Sequence, residues 1–124
     1  MSADHKRSDR VGERIRAEVM ALLLRGDVRD PATRDGFVTA VKLSADLRVA
    51  RVYVRLTDVE ATQVRRDQYV AALTRAAGFI RREISPALGL RYQPELRFFW
   101  DDGVDEAARV EALLSEIRRE GDPQ

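Results

Sequence analysis

Cysteine is absent from the 124 residues, so the chain offers no disulfide framework, no thiolate nucleophile and no sulfur-ligated metal. Histidine occurs once, at His5 in a polar N-terminal stretch, and a single histidine makes neither a zinc site nor a well-held general base. Long apolar runs are missing too. The longest, "VMALLL", falls far short of the roughly 20 residues that cross a bilayer. The first thirty residues are charged throughout, so no signal peptide is expected, and a cytoplasmic address without membrane contact is the simplest reading. The phosphate loop, the dinucleotide fingerprint and the nucleophile elbow have no match. Acidic residues are plentiful, yet no carboxylate pair stands out from the general charge. Neither an enzyme, a cofactor nor a metal is expected.

Lysine is scarce as well: of 22 basic residues only Lys6 and Lys42 are not arginine. Guanidinium forks suit bidentate contact with phosphate and stacking on bases. Codon usage alone can raise arginine everywhere, so placement carries more information than number. The net charge of +1 is unevenly spread. Residues 65–97 hold seven arginines against Asp67, Glu83 and Glu95, a balance of +4, whereas 98–124 balance at −5. With 44% apolar and 35% charged residues the composition suits one globular domain, expected over 8–118 with flexible termini at 1–7 and 119–124.

Residues 8–24 read as an amphipathic helix capped by Ser8, with Val11, Ile15, Val19, Leu22 and Leu23 on one face. A loop with Pro31 and Gly36 follows, then strands at 37–43 and 49–56 joined by "SADLR". In the second strand Ala50, Val52, Val54 and Leu56 share one face and Val49, Arg51, Tyr53 and Arg55 the other. A second helix is expected from Arg66 to Ile84, its buried stripe made of Tyr69, Val70, Leu73, Ala76, Ala77, Ile80 and Ile84, with Ser85, Pro86 and Gly89 ending it. "PELRFFW" (94–100) reads as a third strand and the acidic stretch 104–120 as a last helix. The order α-β-β-α-β-α implies an α+β domain with a three-stranded sheet under helices.

Within the second helix, "RAAGFIRREI" sets Gly78 on the outward face between Arg75 and Arg82, with Arg81 at the border. A glycine inside a helix costs roughly 1 kcal/mol relative to alanine. Two readings stand side by side. Gly78 is a kink that bends the helix around the sheet, or it lets a sugar-phosphate backbone approach while the arginines hold phosphates.

Five segments in order resemble the bacterial ribosome-binding factor A family, small cytoplasmic assembly factors of the small ribosomal subunit. They are "RVGERIRAEVMALL" (10–23), "DP" (30–31), "LSADLRVARVYV" (43–54), "AAGFIR" (76–81) and "LRYQPELRFFWD" (90–101), spanning about 10–115. The resemblance implies a type II KH-like domain in which an Ala-x-Gly kink, here Ala76-Ala77-Gly78, replaces the G-x-x-G loop. Lys42 and Ala77 depart from the family's common acidic residue and serine. The family's extended C-terminal tail is nearly absent, so a shortened chain is the expectation.

Three basic patches are candidates for RNA: Arg75, Arg81 and Arg82 around Gly78; Lys6, Arg7, Arg10 and Arg14 on the first helix; and the sheet face, where Arg51, Tyr53 and Arg55 meet Arg97 and Phe99. The last helix is acidic and is expected to be a solvated or packing element, and the C-terminal segment is a possible cover for the sheet face. The resemblance implies a non-enzymatic, monomeric factor that binds the immature 30S subunit and 16S rRNA during late maturation, including 5′-end processing, with assembly GTPases as further partners. A generic single-stranded RNA-binding KH module and a protein-interaction module without RNA binding are the alternatives.

Overall fold

The computed structural model describes residues 3–120, with side chains at 6–103 and 110–118. The first helix, α1, spans Ala3–Arg25 and buries Ile15, Val19 and Leu22 completely, with Val11 and Leu23 packed alongside. It begins five residues before Ser8, so the expected cap lies inside the helix. The added turn is too polar to show an apolar period, which is why the sequence pattern starts late. Of the termini expected to be flexible, 3–7 and 119–120 continue helices, while 1–2 and 121–124 lie outside the described residues, as does the His5 side chain. Gly26, at φ 73°, ends α1 in the left-handed conformation that favours glycine at a helix C-terminus.

The strands β1 (Gly36–Leu43) and β2 (Val49–Leu56) pair antiparallel, with a register shift between Val38 and Ala40. The Ser-x-Asp-Leu loop between them is held from within. The Ser44 hydroxyl donates to Asp46 Oδ1 (2.7 Å), which also accepts from the Arg48 N–H (3.1 Å), and Leu47 sits at φ 60°. Next comes α2, Gln63–Leu88, started by the Thr62 hydroxyl accepting from the Arg65 N–H and closed by Gly89 at φ 60°. The last strand, β3 (Glu95–Trp100), runs parallel to β2, a pairing that needs a crossover such as α2 supplies. The sheet order is β1-β2-β3.

The helices α1 and α2 cover one face, where Ala50, Val52, Val54, Leu96 and Phe98 meet Ile15, Val19, Leu73, Ile80 and Ile84 in one core. This is the expected α+β, type II KH-like arrangement. Gly36 makes room for the buried Tyr69 phenol: a Cβ at that position would overlap the Tyr69 hydroxyl and stand 2.8 Å from the Arg55 carbonyl oxygen.

The helix α2 runs through Ala76-Ala77-Gly78, where the resemblance implies a kink, and on through Pro86. Ala76 and Ala77 pack against the core, and the apolar contacts on both sides hold the helix together across the glycine. A final helix, α3 (Gly103–Glu120), follows the Asp101-Asp102 turn, where the Gly103 N–H donates to Asp101 Oδ1.

Candidate nucleic-acid interface

Gly78 stands on the solvent side of α2. A methyl group built there would meet one atom within 4 Å, Arg82 Nη1 at 3.7 Å, which is ordinary contact. Its φ lies outside the left-handed region, so neither conformation nor crowding demands glycine. The chain therefore keeps a residue that weakens a helix by about 1 kcal/mol where alanine would fit.

The three arginines expected around it play different parts. Arg82 is exposed and, among the described residues, makes no hydrogen bond or ion pair, so its fork is available to an incoming anion. Arg81 donates to the Gln93 carbonyl oxygen, which draws the segment before β3 against α2. Arg75 turns to the other flank and pairs with Asp30 at 3.1 Å. There the Ala32 N–H, and after it Arg75, hold the Asp30 carboxyl below its ordinary value of 3.8. Arg81 and Arg82 thus belong with Gly78, and Arg75 is engaged elsewhere.

Two hollows open beside Gly78. One lies between α2 and β3, where Gly78 and Arg81 face Arg97 and Phe98. The other is bounded by Gly78, Arg81, Arg82, Arg91 and Tyr92. Arg91 and Tyr92 were missed by reasoning from sequence. They follow the Gly89 cap, with the Arg91 guanidinium 5.6 Å from the Tyr92 ring and Tyr92 71% exposed. An exposed aromatic beside Arg82 and Arg91, for which no hydrogen bond or ion pair is seen among the described residues, is a surface on which a base stacks while phosphates are held. The signal was a basic-aromatic pair just after a helix stop, unreadable until the fold brought it beside Gly78.

The N-terminal patch is separate. Lys6, Arg7, Arg10 and Arg14 are exposed along α1, Arg14 pairs with Glu18 at 3.3 Å, and none of the four lines either hollow. On the sheet face Arg51 stands opposite Arg97 and Tyr53 opposite Phe99, with the two rings 5.8 Å apart. Arg55 does not join them. It is 6% exposed, donates to the Asp101 carbonyl oxygen at 2.8 Å and lies 4.8 Å from the Trp100 ring, which Arg66 also approaches at 4.9 Å. Arg55 ties the end of β2 to the end of β3 and is not part of the surface that alternation predicted.

Among the described residues no helix is long and apolar enough to cross a membrane, and no group of three or more His, Cys, Asp or Glu side chains is placed to hold a metal ion. The fold is similar to that of ribosome-binding factor A from Thermus thermophilus, with a TM-score of 0.60 at 23% identity over 74% of this chain and 93% of that one. It is also similar to a Thermus thermophilus ribosome binding factor A homology model fitted into an electron cryo-microscopy map of its complex with the 30S subunit, with a TM-score of 0.57 at 23% identity over 73% of this chain and 91% of that one. In sequence, the ribosome-binding factor A of Anaeromyxobacter dehalogenans is 47% identical over 119 residues, 94% of this chain and 83% of that protein. The model of the family described as Ribosome-binding factor A matches residues 7–114, which take in most of α1, the hairpin, Gly78 with its arginines and the Arg91-Tyr92 pair, so the chain belongs to the ribosome-binding factor A family.

Proposed function

We propose that this chain is a non-enzymatic assembly factor that docks on immature 30S subunits and grips 16S rRNA through Gly78, Arg81, Arg82, Arg91 and Tyr92. The observation that carries this reading is Gly78 itself: an exposed, helical glycine in open space, retained at a cost to the helix, beside the unengaged fork of Arg82 and across a hollow from Arg91. Without a side chain, the helix surface lets a sugar-phosphate backbone come close, and the two forks then meet its oxygens. Phosphate contacts supply affinity and orientation, while the shape of the maturing particle supplies specificity. Action late in assembly, with 16S 5′-end processing, departure at completion, exchange with assembly GTPases and work as a monomer in the cytoplasm complete the proposal. The relative bound to the 30S subunit supports the docking.

Co-sedimentation with immature and mature small subunits tests it. Wild type is expected to prefer immature particles. Arg82→Glu/Arg91→Glu is expected to stay folded and lose at least about tenfold in affinity, which corresponds to about 1.4 kcal/mol. Equal binding by the variant would remove the Gly78 surface from the proposal, and binding to neither particle would remove the ribosome.

The rings of Tyr53 and Phe99, flanked by Arg51 and Arg97, favour a second reading in which the sheet also stacks single-stranded RNA. That reading expects wild type to bind short oligonucleotides on their own, and Tyr53→Ala/Phe99→Ala to abolish the binding.

A further inference from the structure

The helix α3 is two-faced. Val110, Leu113, Leu114 and Ile117 recur at helical spacing and are 55%, 58%, 40% and 59% exposed, while Glu111 and Glu116 lie on the same turns. Four large apolar side chains in a line on one uncovered helix face form a docking surface. The same molecule has an uncovered face of matching character. On the side of the sheet away from α1 and α2, Lys42, Arg51 and Arg97 are paired in register as a row across all three strands. Next to it, toward α3, runs the row Ala40, Tyr53 and Phe99, with Phe99 41% exposed. Like charges directly opposite one another repel, and of the three cations Arg97 is offset by Glu95 at 3.2 Å. The row therefore gains from an acidic cover.

We propose that α3 folds back over this open face as a detachable cover, placing its apolar stripe on Tyr53 and Phe99 and the glutamates on the two flanks of that stripe along the basic row of Lys42, Arg51 and Arg97. Chain length fits. From Gly103, Val110 lies about 10 Å and Leu114 about 16 Å along the helix, while Arg97 lies about 10 Å back along β3 from Trp100. The hinge falls at Asp102, because Asp101 is held by the Val54 carbonyl, Thr39 and Arg55. The surplus of −5 over residues 98–124 matches the basic sheet face in sign. A covered face presents neither stacking rings nor cations, so an anionic ligand reaches it only by displacing α3. The cover acts on the sheet face alone, and it holds whether or not the Gly78 surface binds rRNA.

Because the chain lacks cysteine, disulfide trapping in the full-length protein reports only introduced pairs. Arg51→Cys/Leu113→Cys, with Lys42→Cys/Leu114→Cys as a second pair, is compared with Leu24→Cys/Leu113→Cys, which samples the helix-covered side. The cover predicts intramolecular disulfides in both sheet pairs about tenfold faster than in the control. It also predicts slower trapping when Glu111→Lys/Glu116→Lys is added. Rates equal to the control, a disulfide that forms only between two chains, or indifference to the charge reversal would overturn the proposal.

Discussion

Gly78, Gly36 and Gly12 are three glycines with three physical reasons, and substitution to alanine separates them. At Gly78 the added methyl finds space, so Gly78→Ala is expected to raise stability by about 1 kcal/mol, or about 4 °C in Tm. At Gly36 the methyl overlaps the Tyr69 hydroxyl, and Gly36→Ala is expected to cost about 1–3 kcal/mol in chemical denaturation, as overpacked cores do. Unchanged stability of Gly36→Ala would contradict the packing described for Tyr69. At Gly12 the methyl would come 2.9 Å from the Val41 carbonyl oxygen, so glycine sets how closely α1 approaches β1. The arginine pattern around Gly78 was legible in sequence, but its division of labour was not. Helical spacing puts Arg75 and Arg82 on one face, while only tertiary structure turns Arg75 to Asp30 and brings Arg91 and Tyr92 alongside. Alternation likewise assigned Arg55 to the open sheet face. Its guanidinium instead reaches the Asp101 carbonyl because the end of the strand is crowded by Trp100.

At the scale of elements, strands were the more legible. The second strand matches the structure residue for residue, because β-branched residues alternate with polar ones between clear turn signals. Helix ends were less so. The start of α2 at Gln63 rests on the Thr62 cap, and its end on Gly89, since Pro86 in the last turn forfeits one backbone bond without ending the helix. The hairpin loop carries a pH prediction. The Ser44 hydroxyl, followed by the Arg48 N–H, holds the Asp46 carboxyl below its ordinary value of 3.8. A lowered folded-state value means that the contribution of Asp46 is present above about pH 4 and disappears as pH falls through that lower value. Protection of the Arg48 amide, relative to its intrinsic exchange rate at each pH, is therefore expected to fall in acid, and to be low already at neutral pH in Asp46→Ala. Protection in Asp46→Ala equal to wild type would contradict the loop description.

For the whole molecule the division of charge is the organising fact: a basic middle, +4 over residues 65–97, followed by an acidic end at −5. Binding by the middle to RNA predicts affinity that falls steeply with salt. For single-stranded contacts each lost phosphate partner shallows the logarithmic slope by about 0.7, so Arg82→Ala is expected to do so by about that amount. A slope unchanged by the substitution would mean that Arg82 touches no phosphate. Fold and family could be read from the chain because five segments keep their order and spacing, whereas the interface needed the folded surface.

The most direct test of the central claim is affinity for immature 30S subunits measured for wild type and Gly78→Ala, with melting temperatures taken on the same samples. Gly78→Ala is expected to melt higher yet bind about tenfold more weakly, because the new methyl strengthens the helix and stands where the RNA backbone approaches. A variant that melts higher and binds as well as wild type would contradict the claim.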